Sequence, residues 1–120
     1  MKAVIISLIL LLAVILAVCI NNIYIKGVTQ KLKSLAEEIS QGDNVNKALY
    51  ELENLWENSK KFTALSVGLE EIDQTTEHII RLSVAYKNGD TASCEHYCYL
   101  LMNDFDDLGR YEKFSILNIL

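Results

Sequence analysis

The sequence predicts an all-α protein: an N-terminal transmembrane helix that continues into an antiparallel bundle of three to four helices. Three observations carry this expectation. Seventeen of the eighteen residues from Ala3 to Ile20 are apolar, with Ser7 as the interruption. The 120 residues contain no proline and only five glycines, and an internal proline would cost a helix about 3 kcal/mol. Beyond the run, apolar residues recur at spacings of three and four, the period of a helix face.

The first element is the apolar run itself. A bilayer core about 30 Å thick takes roughly 20 apolar residues of helix to cross. Extending the run to Ile25 gives a span of about 34 Å at about 1.5 Å per residue, with Ala3, Ile5, Leu10, Ile15 and Ile20 on its lipid-facing surface. Residues 1–25 are therefore assigned to the anchor. Ile25, Val28, Leu32, Leu35 and Ile39 follow at spacings of 3, 4, 3 and 4, the seam of a coiled coil, so residues 26–41 extend the same helix past the membrane. Residues 42–120 form the bundle.

Gly42 supplies a helix stop, and Asp43 or Asn44 can cap the next helix. That second helix carries Val45, Leu49, Leu52, Trp56, Ser59 and Phe62 on one stripe, widened by Leu55 and Leu65. Gly68 marks a kink or stop. The third helix begins near Leu69, where Glu70, Glu71 and Asp73 complement its dipole. Its apolar face reads Leu69, Ile72, Thr76, Ile79, Ser83 and Tyr86, flanked by Ile80 and Leu82. Asn88, Gly89 and Asp90 make a turn in which Asp90 can cap the last helix. That helix presents Cys94, Cys98, Leu101, Phe105, Leu108 and Tyr111, with Gly109 as a point of bending. Short turns favour antiparallel neighbours.

Charge divides unevenly. Residues 1–39 hold four lysines against two glutamates, while residues 40–120 hold seven basic and fourteen acidic side chains. An acidic body argues against nucleic acid, which calls for clustered Lys and Arg. Lys26, Lys31 and Lys33, just past the apolar run, are placed to meet anionic lipid head groups.

Two alternatives compete with an uncleaved anchor. A signal peptide would have a stronger basic head than Lys2 and a small-x-small cleavage site. A lipoprotein would be attached through Cys19, but Val18 stands where a small residue is needed. As a residue inside a membrane helix, Cys19 is a small packing group.

The candidate chemistry is sparse. Cys94 and Cys98 share one helix face and, with His78 from the preceding helix, form a metal- or redox-site candidate. The simpler reading makes both cysteines small core residues. His78 and His96 each follow a glutamate, but Thr75 and Ser93 stand three residues before them, so the carboxylate–histidine spacing of a di-iron bundle is missing. Both histidines then belong on polar faces. Asp104, Asp106 and Asp107 lack a calcium loop's pattern and read as a solvated face, with Asp106 pairing with Arg110. Trp56 reads as a core anchor, and Arg81 as one end of an ion pair with Glu77 or Glu112. No phosphate loop, nucleophile elbow or dinucleotide fingerprint is present. The expectation is a protein that is not an enzyme, with no cofactor and no small-molecule substrate.

Several of these residues recur together. Leu55-Trp56, Glu71-Ile72-Asp73, Ile80-Arg81-Leu82, Tyr86, Asp90 and the stretch Glu112-Lys113-Phe114-Ser115-Ile116-Leu117-Asn118-Ile119-Leu120 resemble the bacterial "domain of unknown function 4363" family. The resemblance implies a short protein with one N-terminal membrane segment and a helical body, of a kind found in spore-forming, often anaerobic, Gram-positive bacteria. Where that pattern has a polar residue such as His before Glu70, this chain has Gly68 and Leu69, so no shared histidine site is implied. The family has no assigned activity.

The sequence expectation is thus a single-pass membrane protein with a binding or structural helical body. Its contacts would be membrane lipid and another membrane protein or a second copy, met through Leu32, Leu35, Phe114, Leu117 and Leu120. The lysines beyond the run, by the positive-inside tendency, would hold the body in the cytoplasm. The short basic head on a long run and the resemblance favour an extracytoplasmic body. The alternatives are a metal- or redox-responsive sensor using Cys94, Cys98 and His78, and a lipoprotein attached through Cys19.

Overall fold

The computed structural model describes the backbone of residues 1–42 and 44–119 and, within these, the side chains of residues 1–21, 23–42, 44–61, 63–64 and 68–110. The described residues form four helices and no strand: α1 (Lys2–Gln41), α2 (Val45–Val67), α3 (Leu69–Lys87) and α4 (Thr91–Ile119). The expected all-α fold is the observed one.

With no proline to break it, α1 is a single helix of 40 residues, about 60 Å long. It is the one helix among the described residues long and apolar enough to cross a membrane, and none of its apolar window is buried inside the protein. The Ser7 hydroxyl donates to the Ala3 carbonyl at 2.8 Å, so the polar interruption is satisfied within the helix. From Ile25 the same helix changes role. Ile25, Val28, Leu32, Leu35 and Ile39 are buried on one stripe, joined by Thr29 and Ala36.

The other helices close around that stripe. α1 packs on α2 and α4, and α3 packs on the same two from the opposite side. The outer half of α1 is therefore a full fourth member of an up-down-up-down bundle. The bundle has a lower half, next to the apolar stretch of α1, and an upper half at the Gly42 and Gly89 turns. Its core is built from Leu32, Leu35 and Ile39 of α1, Leu49, Leu52 and Trp56 of α2, Ile72, Ile79 and Leu82 of α3, and Cys98, Leu101, Phe105 and Leu108 of α4.

The corners explain the helix ends. Gly42 adopts φ 80° and ψ 8°, and its N–H caps the end of α1, the left-handed stop that glycine adopts at low cost. Gly68 sits at φ 108° and ψ 160° and serves as the end of α2 and the start of α3 at once. That region is essentially closed to residues with a Cβ, so the kink or stop expected at Gly68 is a stop. Asp90 caps α4, its carboxylate accepting from the Ser93 N–H at 3.2 Å and from the Ser93 hydroxyl at 2.6 Å. Both bonds hold Asp90 below the ordinary carboxylate pKa, the side-chain bond contributing more. Asn44 occupies the N-cap position of α2 with a left-handed backbone and no side-chain cap bond. The alternative cap, Asp43, lies outside the described residues. Gly109 does not interrupt α4.

The expected face of α3 needs correction. Its buried residues are Ile72, Thr75, Ile79, Leu82 and Ala85, whereas Leu69 and Ile80 are exposed. The helix is rotated so that Leu82, expected at the flank, points into the core. Its contact with α4 is broader than its contact with α2.

Candidate functional site

The rotation of α3 brings its polar residues onto α4. Thr75, Ile79 and Leu82 face inward, and His78, three residues after Thr75, stands at the edge of that face. On α4 the buried stripe Cys98, Leu101, Phe105 and Leu108 includes a carboxylate, Asp104, only 8% exposed. A buried carboxylate is costly unless it is hydrogen-bonded. His78 Nδ1 lies 2.5 Å from Asp104 Oδ2, and Gln74 Nε2 donates to Asp104 Oδ1 at 3.4 Å. With a neutral imidazole, the Nδ1–H tautomer donates to the carboxylate and leaves Nε2 as an acceptor. The His78 ring also lies against Tyr97, with centroids 6.4 Å apart.

Two expectations are corrected here. His78 is not a polar-face residue, and Asp104 is not part of a solvated face. Both are drawn in because each sits on the core-facing side of its helix, and pairing offsets their loss of water. The signal was present in the sequence: Asp104 falls between Leu101 and Leu108 on the stripe, a position that calls for a partner. His96, by contrast, is exposed, its ring edge-on to Tyr97 at 5.3 Å.

Beside this pair a groove of about 280 Å³ opens, lined by Glu70, Glu71, Gln74, Thr75, Asp104 and Asp107, with Leu108. Glu70 and Glu71 lie in the first turn of α3, where they complement the helix dipole. Among the described residues, no group of three His, Cys, Asp or Glu side chains is arranged to hold a metal ion.

The thiols are distributed differently. All three cysteines are free. Cys98 is fully buried in the core, and Cys94 packs partly against it. Burial pushes the Cys98 thiol up to about 12, with Cys94 and Glu95 adding to the shift. Cys94 is raised too, by burial and then by Asp90. Raised thiols are poor nucleophiles at neutral pH. His78, the third member of the suggested site, is engaged by Asp104. Cys19 lies on the exposed part of α1.

The suggested contact residues Leu32 and Leu35 are 0% and 4% exposed. They are spent inside the chain's own core and present nothing to a partner, because the seam is closed by α2 and α4. The side chains of Phe114, Leu117 and Glu112, and Leu120 altogether, lie outside the described residues. Of the anchor residues, Ile5, Leu10 and Ile20 are more than half exposed, Ala3 is exposed and Ile15 half-buried. Trp56 is 2% exposed. Its Nε1–H donates to Thr76 Oγ1 at 2.9 Å, and its ring lies 6.2 Å from that of Phe105. Arg81 is exposed and donates twice to Glu77 Oε1, at 3.0 and 2.8 Å. Glu77 first, then Tyr97, raise its pKa.

The lower edge of the α1–α4 contact carries ion pairs that differ from expectation. Asp106 is bound by Lys33 of α1, at 3.0 and 3.1 Å from its two oxygens, and Arg110 pairs with Asp107 instead. Asp106 faces across to α1, which removes it from the reach of Arg110 on its own helix.

The model of a family described as a domain of unknown function (DUF4363) matches residues 19–119. No curated protein and no solved structure matches the chain. The family match runs from the last turns of the apolar stretch through all four helices of the body, and the chain belongs to the DUF4363 family.

Proposed function

We propose that the chain is a single-pass membrane-anchored protein whose helical body is a binding or structural module rather than an enzyme. The observation that supports this most is the change of role within α1. One unbroken helix has an exposed apolar stretch of membrane-spanning length and then a buried stripe that forms a wall of the bundle. A helix apolar all round is stable in lipid or in a protein core, and here no core surrounds it. Joining the two parts without a loop ties the body rigidly to the membrane surface, an arrangement suited to holding a surface at a set height. Lipid is the first partner in this reading, and a second membrane protein or another copy of the chain is the second.

In this reading the body lies outside the cytoplasm. Tyr99 is 62% exposed on α4, so a Tyr99→Cys variant carries an accessible thiol. The expected result is labelling of intact cells by a membrane-impermeant maleimide, with the protein retained in membranes after alkaline carbonate washing. Labelling only after lysis overturns the orientation, and release by carbonate overturns the anchor.

A further inference from the structure

At the lower end of the bundle, between α1 and α4, lies a groove of about 270 Å³ unlike the acidic one. Its polar lining is Lys26, Thr29, Gln30, Lys33 and Arg110, with Asp106 as the one carboxylate among the lining residues. We propose that this groove binds the headgroup phosphate of an anionic glycerophospholipid drawn from the membrane in which α1 is seated. The inference rests on the anchored reading above and adds a site and a ligand class to it.

Charge is the first argument. The lining carries three cations against one carboxylate, on a body whose residues 40–120 hold twice as many acids as bases. Position is the second. Lys26 directly follows Ile25, where the apolar stretch ends, and Lys33 lies about 10 Å further along the helix. The polar layer on each side of a bilayer is about 5–8 Å deep, so the mouth of the groove falls at headgroup level. Side chains on a helix lean as a rule toward its N-terminus, which for α1 is the membrane side.

Donor capacity is the third argument. An ammonium has three donors, and Lys33 directs two hydrogen bonds to Asp106, leaving one. Arg110 engages Asp107 through one guanidinium nitrogen and keeps the rest of its five N–H donors. Lys26 has no ion-pair partner among the described residues. The groove also has room. Gly109 forms part of its wall, and a Cβ there would stand 3.8 Å from Thr29 Oγ1, so a longer side chain would project into the space. The buried ring of Phe105 closes the floor of the groove.

The test is native mass spectrometry of the full chain in mixed micelles containing phosphatidylcholine and phosphatidylglycerol, measuring the affinity for the first retained phosphatidylglycerol. Each cation near an anionic surface contributes about a 5-fold gain, so Lys26→Gln with Arg110→Gln is expected to weaken binding roughly 30-fold. Lys47→Gln with Lys60→Gln, which removes the same charge outside the groove, is expected to leave it unchanged. Lys26→Arg should retain binding, and helical circular dichroism checks that each variant is folded. Equal losses in the two double variants, or equal retention of phosphatidylcholine, overturn the site. Competition by inorganic phosphate alone at the lipid's own concentration overturns the assignment to lipid. If carbonate releases the wild-type chain from membranes, the anchored reading itself fails. If the chain is retained but shows no groove-dependent preference, only the lipid site fails.

Discussion

The upper and lower halves of the bundle contain the same four helices but differ in what those helices bury. The upper half is closed by apolar side chains: Leu35 and Ile39, Ala48 and Leu49, Leu52, Leu82 and Cys98. The five buried polar residues among those described, Thr29, Ser59, Thr63, Thr75 and Asp104, all fall in the lower half. Ser59 and Thr63 return their hydroxyls to carbonyls of their own helix at 2.6 and 2.9 Å, and Thr29 does the same at 3.1 Å. Such bonds satisfy the hydroxyl without tying one helix to another. The upper half is held by burial of apolar surface. Among the described residues, the lower half buries Ile25, Val28, Leu32, Ile72, Phe105 and Leu108 and adds the His78–Asp104 link and the Lys33–Asp106 bridge.

The largest expected effect is in the upper half. Leu82→Ala removes a side chain with no exposed surface and should cost about 2–5 kcal/mol, read from denaturant midpoints. Ser59→Ala in the lower half should cost less than about 1 kcal/mol, since it removes the hydroxyl together with its own helix bond. Equal costs would erase the difference between the halves.

Asp104→Ala comes next. It strips the inward-facing His78 of its partner and should cost about 1–3 kcal/mol. Replacing both residues together, Asp104→Leu with His78→Leu, should recover much of that loss. If the double variant is no better than the single one, the pair is not the link between α3 and α4.

A pH series sharpens the comparison from the upper side. The Cys98 thiol is raised in the folded protein from an ordinary 9.0 to about 12. Its contribution is complete below pH 9. It is lost as pH rises between 9 and about 12, because the unfolded chain then releases a proton that the folded chain retains. Stability should fall across that window in wild type and fall less in Cys98→Ala. Modification of Cys98 at neutral pH should proceed only at the rate of unfolding.

The smallest effect belongs to the Lys33–Asp106 bridge. It is partly exposed, with 39% and 48% of the two side chains accessible, and Lys33→Ala should change stability by less than about 1 kcal/mol. A larger loss would mean that the lower half depends on this bridge more than on its core.

Most of the helical layout was legible in the chain. The run from Ala3 and the seam from Ile25 to Ile39 set out α1. Gly42, Gly68 and the Asn88–Asp90 turn marked the helix ends, because backbone stops are local chemistry. The rotation of α3 was not legible. Its sequence offers two overlapping stripes, one through Leu69, Thr76 and Ser83 and one through Thr75, Leu82 and Ala85, and local periodicity does not choose between them. The candidate site depends on that choice: His78 meets Asp104 only after α3 has turned its second stripe inward.

The sequence by itself determined four helices, their stops, and one helix that is apolar all round before it becomes a bundle wall. These follow from backbone propensity and the 3.6-residue period, which act within a few residues. Only the tertiary structure decided that Leu32 and Leu35 close the chain's own core, that Asp106 binds Lys33 rather than Arg110, and that three cations line one groove. Those outcomes depend on the rotation and height of one helix against another. Packing across the whole bundle sets both, and no single segment encodes them.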